Sequence, residues 1–364
     1  MLTTHVAVAL SLLPGRTRFD VAARIRDRRP DLLSAPSVAG PSLEHLVTEV
    51  APELAAESAL PQRLHVAADA ALRRAARGGI APVTLADPGY PARLRVIADP
   101  PLVLWTRGAA DALRTPAVAI VGARAATPAG REMARWLAAD LAAEGIVVVS
   151  GLARGIDAAA HEGALATGRT VAVLGAGTDV IYPSCHRELA ERTAARGALV
   201  SEFVPGTAPH AHHFPLRNRI ISGLALGVVV VEAADRSGSL ITARCALDQG
   251  RDVMACPGNP RSGRNRGAHG LLRDGARLVE SAEDVLDEIG WHRRVTAGPG
   301  GREGDAGRPD RVLAAFPISE PLTLEELGAI VAMPLPALLA RLTELELCGE
   351  VERVEGGRFV RLAR

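Results

Sequence analysis

The chain has 364 residues, of which 48% are hydrophobic and 23% are charged, so it is long enough for two or three globular domains. Its formal net charge is +1, which means that any attraction to nucleic acid must come from local clusters of charge. All 42 basic residues are arginines, which excludes a Walker A phosphate loop, a Schiff-base lysine and a kinase-type lysine.

Targeting segments and metal-binding patterns are not indicated by the sequence. Residues 1–13 have no basic start, and no apolar stretch reaches the roughly 18 residues of a membrane span. The cysteines at Cys185, Cys245, Cys256 and Cys348 form no CxxC pair, which favours reduced thiols over a zinc site or a disulfide framework. We therefore expect a cytoplasmic protein without membrane insertion, bound metal or cofactor.

Residues 1–80 are expected to form a small helical domain, because runs rich in alanine, leucine and arginine alternate with helix-breaking prolines. The segment LSLLPG, from Leu10 to Gly15, is similar to half of a helix-hairpin-helix or SAM-like unit, whose backbone amides can bind a DNA phosphate. An ordinary helix end at Pro14 is the favoured interpretation. The apolar segment Leu102–Trp105 then predicts a strand or edge element that leads into the main domain.

Residues 81–290 are predicted to be an α/β domain, in which helical segments alternate with short apolar runs. Valine-rich runs without polar alternation are typical of strands that are buried on both faces of a sheet. The pattern indicates a Rossmann-like, doubly wound, mostly parallel sheet. The predicted strands of its core are Ala117–Val121, Ile146–Val149, Val171–Leu174, Leu199–Phe203, Val228–Val231 and Val253–Ala255.

The C-terminal part is expected to contain a flexible linker and a winged-helix domain. Residues 291–310 are rich in glycine, arginine and aspartate, which is typical of a linker. Residues 311–364 show three helical segments, the second with Thr323 as its N-cap, and two strands around Gly356-Gly357, which predicts a winged helix. Six arginines against eight glutamates give this domain a charge of 6 − 8 = −2, which favours protein interaction or packing over duplex recognition.

Ligands of an open parallel sheet bind beyond the carboxyl ends of its strands, where this sequence has glycine-rich turns. In the first turn Gly122 permits a tight bend, Arg124 projects from it and Thr127 is expected to cap the next helix. In the second turn Ser150 and Gly151 precede a helix whose N-terminus favours an anion. The first turn and the third, VLGAGTDVIYP, lack the third glycine of a dinucleotide fingerprint, so no NAD site is predicted.

The fourth and most basic stretch is residues 211–278, called the basic segment below. It contains ten arginines and five acidic residues, a local charge of 10 − 5 = +5. Its candidates for phosphate contacts are Arg217, Asn218, Arg219, Ser237, Gly238 and Ser239. The first three are expected to lie directly before an apolar helix and the other three to open the next one, both positions at which phosphate binds. The neighbouring HAHH run lacks metal-ligand spacing and is expected to be a loop.

Aromatic side chains are scarce, at 3% of the chain, and Phe214 is the only one expected beside the basic segment. Base stacking on aromatic rings is a common source of affinity for single strands. We therefore expect arginines and helix N-termini, which bind phosphates, to contribute more of the affinity in this protein.

The ordered series VGAR, SGLARGIDAAAH, VLGAGTDVIYP, HFPLRNRIISGLA, RSGSLITA, CPGN and NRGAHGLLRDGA resembles the DNA-processing protein A (DprA/Smf) family, from about Ala117 to Ala276. The resemblance implies a protein that is not an enzyme, binds single-stranded DNA without sequence preference and forms a homodimer. It also implies that the protein helps to load RecA recombinase onto DNA in natural transformation or homologous recombination. The DNA-contacting candidates carried over by motif are Gly122, Arg124, Ser150, Gly151, Arg217, Asn218, Arg219, Ser237, Gly238 and Ser239.

Two other functions are compatible with a fold of this kind. A nucleotide-binding enzyme of the phosphoribohydrolase (lysine decarboxylase-like) type would carry a PGGxGTxxE signature, which this chain lacks. A transcription regulator would need a basic recognition helix in the winged domain, whereas the only candidate, LPALLARLTELE, is not basic. Single-strand binding is therefore favoured over both alternatives.

Overall fold

The structure is a computed structural model that describes residues 2–14, 17–34, 41–54, 56–291, 311–316, 322–331, 333, 338–339, 341–342, 345–346, 351–354 and 358–361. The chain divides into two compact units, residues 1–293 and 294–364. The linker predicted at residues 291–310 lies, except for Trp291, outside the described residues, as do the turn at Gly356-Gly357 and much of the third predicted helix of the winged domain. The finer division at residue 80 stays a prediction.

In the residues that the structure describes, the first unit begins with five α-helices. They are α1 (Thr4–Ser11), α2 (Thr17–Arg28), α3 (Asp31–Ser34), α4 (Leu43–Val50) and α5 (Leu60–Arg77). Thr3 caps α1 by accepting a hydrogen bond from the Val6 amide, and the helix ends at Ser11, ahead of Pro14. The buried faces of these helices are lined mainly by leucine, valine and alanine side chains, such as those of Leu10 and Leu46.

A nine-stranded sheet follows. Its strands are β1 (Ala81–Thr84), β2 (Val103–Gly108), β3 (Ala117–Val121), β4 (Val147–Ser150), β5 (Thr170–Val173), β6 (Ala198–Ser201), β7 (Gly227–Val230), β8 (Asp252–Ala255) and β9 (Arg277–Leu278). Their order is β1-β2-β6-β5-β4-β3-β7-β8-β9; the β1–β2 and β2–β6 pairings are antiparallel and the others are parallel. The predicted Rossmann-like, mostly parallel sheet is confirmed, and the predicted strand bounds agree with the observed ones to within two residues.

Helices cover both faces of this sheet. They are α6 (Ala92–Arg95), α7 (Pro128–Ala143), α8 (Ile156–Thr167), α9 (Arg187–Arg196), α10 (His213–Leu224), α11 (Ser239–Asp248), α12 (Arg266–Arg273) and α13 (Ala282–Glu288). Because side chains alternate along a strand, Val148 of β4 joins the apolar cluster of Leu137 on α7, whereas Val147 and Val149 join the cluster that contains Ile220 of α10. No helix in the described part of the chain combines the length and apolar character that a bilayer crossing requires.

The observed starts of two helices, α7 and α10, can be compared with those predicted from the sequence. The predicted cap at Thr127 is confirmed, because its hydroxyl accepts a hydrogen bond from the Gly130 amide at 3.0 Å. The expectation that Arg217, Asn218 and Arg219 directly precede a helix is wrong, since α10 begins at His213 and contains all three. Pro215 is tolerated there because amides of the first helical turn have no partner within the helix.

The second unit has a short α14 (Arg311–Ala314), β10 (Leu322–Thr323), α15 (Leu324–Val331), β11 (Val351–Val354) and β12 (Arg358–Arg361). The strands pair antiparallel in the order β10-β12-β11. Thr323 caps α15 as predicted, because its hydroxyl accepts from the Glu326 amide while its own amide donates to the Glu326 carboxylate. Phe316, Leu327 and Val351 are buried in the core of this unit.

Candidate functional site

A cavity of about 590 Å³ opens beyond the carboxyl ends of β3 and β7. These strands are neighbours, and the chain continues from β3 to β4 on one side of β3 and returns with β7 on the other. The cavity therefore lies at the topological switch point of the sheet, where open α/β sheets bind their ligands. Its volume is in the range of sites for small ligands, such as one nucleotide.

Three arginines with exposed side chains line this cavity: Arg124 after β3, Arg236 after β7 and Arg264 after β8. Arg264 donates a hydrogen bond from Nη1 to the carbonyl oxygen of Ala125 at 3.0 Å. This bond holds the Arg264 side chain against the turn that follows β3. None of the three forms an ion pair with any residue that the structure describes. Their charges are therefore available to an anionic ligand.

A fourth arginine of the cavity lining, Arg217 of α10, is buried. It donates to the carbonyl oxygens of Gly151, at 2.9 Å, and of Val173. Burial lowers the pKa of Arg217 to about 10, against the opposing effect of the Asp157 carboxylate. The guanidinium is still protonated at neutral pH, so it adds positive charge to the cavity lining. A side chain at Gly151 would place its Cβ 2.5 Å from Arg217, which explains the glycine there.

The backbone amides of the second glycine-rich turn are hydrogen-bonded to side chains of the protein. Asp157 accepts hydrogen bonds from the amides of Gly151 and Ala153 at 3.1 and 3.4 Å, and Nε2 of His161 accepts from Leu152 at 3.3 Å. Burial raises the pKa of Asp157, an effect that Arg217 opposes. Burial also lowers the pKa of His161 to about 3, so its imidazole is neutral. These three amides are consequently occupied by side chains of α8.

The predicted site residues divide into two groups. Those that line the cavity are Gly122, Arg124, Arg217, Asn218, Ser237, Gly238 and Ser239. The other three, Ser150, Gly151 and Arg219, do not line it. Ser150 is fully buried and donates its hydroxyl hydrogen to the carbonyl oxygen of Ile120 at 2.6 Å, which ties β4 to β3.

Arg219 lies on the opposite side of α10 from Arg217, because two residues correspond to about 200° around a helix. Its Nη2 is 2.8 Å from the Glu202 carboxylate and its Nε is 2.8 Å from that of Asp99. The side chains of Arg219 and Glu202 are 8% and 9% exposed. Although burial lowers the pKa of Arg219, the two carboxylates raise it overall. Arg219 is thus the centre of a buried ion-pair cluster.

The start of α11 forms one wall of the cavity, and the prediction that the serine turn opens this helix is confirmed. The hydroxyl groups of Ser237 and Ser239 are hydrogen-bonded at 2.7 Å. Asn218 Nδ2 donates to the Gly238 carbonyl oxygen at 3.4 Å, which connects α10 to this turn. A helix N-terminus with serine and amide groups therefore faces the same space as the arginines.

The cavity lining also contains two carboxylates, Asp157 and Glu232, against its four arginines, a net charge of 4 − 2 = +2. Glu232 is buried and accepts hydrogen bonds from the amide and the hydroxyl of Thr127 at 3.0 and 2.6 Å. Through these hydrogen bonds Glu232 anchors the N-terminus of α7. Both carboxylates are thus committed to protein hydrogen bonds, whereas the exposed arginines are not paired with acids.

Sequence reasoning missed Arg236 and Arg264 as individual site residues. Of the ten arginines in the basic segment, only these two and Arg217 line the cavity. Their position in the turns after β7 and β8 was the available signal, because strand ends decide what faces the switch point. Among the residues that the structure describes, Phe214 is the only aromatic one that lines the cavity. The prediction that it is the only one beside the basic segment is wrong, since the ring of Tyr182 lies 5.6 Å from that of Phe214.

Comparison with known proteins gives matches over most of the chain. The family model for DNA recombination-mediator protein A matches residues 81–290, and the model for the DprA winged helix domain matches residues 297–357. The chain is 42% identical over 274 residues to protein Smf of Escherichia coli, covering 72% of each chain. It is 46% identical over 190 residues to the DNA processing protein DprA of Streptococcus pneumoniae, covering 52% of this chain and 67% of that protein.

Solved structures agree with these matches. The crystal structure of DprA from Streptococcus pneumoniae aligns with a TM-score of 0.67 and 35% identity over 79% of this chain and 98% of that one. DprA from Helicobacter pylori, described for its unique single-stranded DNA binding mode, aligns with a TM-score of 0.53 and 29% identity over 58% of this chain and 95% of that one. The predicted winged-helix domain and the predicted family are confirmed. This chain belongs to the DNA recombination-mediator protein A (DprA/Smf) family.

Proposed function

We propose that this protein binds single-stranded DNA without sequence preference and acts as a mediator of DNA processing rather than as an enzyme. The observation that carries the proposal is the cavity at the switch point, which is about 590 Å³ in volume and has Arg124, Arg236 and Arg264 exposed around it. Membership of a recombination-mediator family and the single-stranded DNA binding of the Helicobacter pylori relative support it.

The concave shape of the site favours a single strand over a duplex. Bases in a duplex are paired and stacked, and extruding one into a pocket costs a few kcal/mol. Bases of a single strand are already free to turn into a cavity while arginines hold the flanking phosphates. A preference for single strands therefore follows from shape, and the absence of sequence preference follows from contacts made mainly to phosphates.

The proposed contacts come from the residues that line the cavity. Arg124, Arg236 and Arg264 bind phosphates directly, and the turn Ser237–Ser239 at the start of α11 adds a helix N-terminus. Gly122 keeps the first turn tight, since a Cβ there would lie 2.6 Å from Ile156. Asn218 can donate to a phosphate or a base from the wall.

The remaining predicted residues support this site from inside the protein. Arg217 supplies positive charge to the cavity lining, and Gly151 leaves space for it. Ser150 and Arg219 hold β4 and α10 in place through their buried contacts. We therefore propose that these four residues shape the site and that the exposed arginines form its contacts with DNA.

We further propose that the protein works in the cytoplasm as a homodimer that helps to load RecA recombinase in natural transformation or homologous recombination. The recombination-mediator description of its family supports this role. Sedimentation at several concentrations tests for the dimer, and the rate of RecA filament formation on single strands, with and without the protein, tests for loading. A monomer at all concentrations, or an unchanged filament rate, would contradict the corresponding part.

Binding itself is tested by fluorescence anisotropy with a labelled oligothymidylate of about 20 nucleotides and with a duplex of the same length. We expect the single strand to bind at least about tenfold more tightly, a difference of about 1.4 kcal/mol. Arg124→Ala and Arg264→Ala should weaken binding of all single-strand sequences alike. Equal affinity for the duplex, or no loss in either variant, would show that the cavity is not the binding site.

A further inference from the structure

Two aromatic rings and an arginine lie in successive contact at the edge of the cavity. The Arg124 guanidinium lies over the ring of Phe214, 5.5 Å from its centroid, and the ring of Tyr182 lies on from Phe214 at a centroid distance of 5.6 Å and an angle of 47°. Phe214 and Arg124 line the cavity, whereas Tyr182 lies outside it. The successive contacts therefore begin with residues that line the cavity and end with one that does not.

The two rings differ in what they offer to a ligand. Phe214 is held in place: Arg124 lies over its ring, and Gly175 packs so closely that a Cβ there would be 3.1 Å from the ring edge. Tyr182, by contrast, has 51% of its surface exposed. Of the two rings, Tyr182 is the one with an exposed surface on which another flat group can stack.

The backbone on both sides of Tyr182 is anchored. Ile181 packs against the apolar cluster that includes Leu189 of α9, and the His186 amide donates to the carbonyl oxygen of Pro183 at 3.0 Å. An exposed ring on an anchored backbone loses little conformational freedom when a ligand stacks on it, so most of the stacking free energy remains as affinity.

We infer that Tyr182 is a second nucleotide subsite, on which the base next to the cavity stacks while Arg124 holds the phosphate between the two nucleotides. This inference rests on the proposed single-strand binding. Guanidinium and aromatic groups placed side by side are the combination that binds a phosphate and its neighbouring base in single strands. The site is sequence-tolerant, because every base has a π-face.

The test combines a protein change with a DNA change. Tyr182→Ala should weaken binding of oligothymidylate about fivefold to hundredfold, and Tyr182→Phe, which keeps the ring, should bind within about twofold of the natural protein. A series of oligonucleotides with one abasic position each uses the shortest oligothymidylate that still binds, because a longer strand can shift its register on a protein without sequence preference. This series should contain one position at which Tyr182→Ala causes no further loss. At that position the DNA lacks the base that would stack.

Matched controls separate stacking from a structural effect. Trp136 on α7 is 46% exposed and does not line the cavity, so Trp136→Ala should leave affinity unchanged. If Tyr182→Ala weakens binding equally at every abasic position, or if it has no effect on the intact strand, the subsite is refuted. The proposed function fails separately, since it requires that the natural protein binds and that Arg124→Ala weakens binding whatever Tyr182 does.

Discussion

The dependence of DNA binding on salt gives the sharpest test of the proposed site. Each phosphate that a protein neutralises on a single strand contributes about −0.7 to the slope of log affinity against log salt concentration. Three exposed arginines and the buried Arg217 line the cavity. With three to four phosphates neutralised, we expect a slope of roughly −2 to −3, so that a fourfold rise in salt weakens binding about 20- to 50-fold.

Alanine variants of Arg264, which lines the cavity, and of Arg219, which does not, test whether the slope depends on the position of the arginine. Arg264→Ala should make the slope shallower by about 0.7, because it removes one phosphate contact. Arg219→Ala should leave the slope unchanged, because its guanidinium is paired with Glu202 and Asp99 away from the cavity. It should instead lower the free energy of unfolding by about 3–5 kcal/mol, since Glu202 would be left buried without its partner.

The assay is fluorescence anisotropy with an oligothymidylate at four or more salt concentrations, together with urea unfolding of each variant. Both arginine variants carry the same change in net charge, so a difference between them reflects position rather than total charge. A slope flattened equally by Arg219→Ala and Arg264→Ala, or a natural protein whose binding is independent of salt, would refute the assignment of phosphate contacts.

Three further predictions concern the rest of the molecule. A chain ending at residue 293, the end of the first compact unit, should keep single-strand affinity within about tenfold, because the winged domain carries a charge of −2; a larger loss would show that this domain binds DNA. Gly151→Ala should lower the free energy of unfolding in urea by about 1–3 kcal/mol through the clash with Arg217, whereas Gly270→Ala, whose Cβ would meet nothing within 4 Å, should raise it by up to about 1 kcal/mol. The pKa of His161 in the folded state, about 3, is below its unfolded value of about 6.5, so the stability that the neutral imidazole contributes is complete above pH 6.5 and is lost as the pH falls. Because of this group, the free energy of unfolding should be about 2 kcal/mol lower at pH 5 than at pH 7. The decrease between pH 7 and pH 5 should be smaller in His161→Gln.

The strands of the sheet were predictable because a strand that is buried on both faces consists of consecutive apolar residues. Val147, Val148 and Val149 are consecutive and all buried, with alternate side chains in different apolar clusters. A helix cap is equally local, since Thr127 needs only the amide of Gly130 three residues away. Features of this kind depend on neighbours in the chain, so the sequence is sufficient to find them.

The start of α10 was not predictable by the same reasoning. Its N-cap residue, His212, makes no side-chain capping bond, and the helix carries Pro215 in its first turn, so the usual start signal is missing. Because Arg217 and Arg219 were not expected to lie within the helix, the sequence did not indicate that they face opposite sides of it. Charge counted along the chain gives no information about which side of a helix an arginine occupies.

The topology of the sheet explains which residues meet at the cavity better than the basic segment does. Arg124, Arg236 and Arg264 are up to 140 residues apart in the chain, yet they follow the carboxyl ends of three adjacent strands, β3, β7 and β8. Parallel strands bring their carboxyl ends to one edge of a sheet, so turns that are distant in sequence become neighbours there. The other arginines of the basic segment lie within helices, in the turn before β8 or at β9, and of these only Arg217 of α10 lines the cavity. In this protein, the positive charge at the site is therefore concentrated by the order of the strands, which is why a chain of net charge +1 can still present a positively charged cavity.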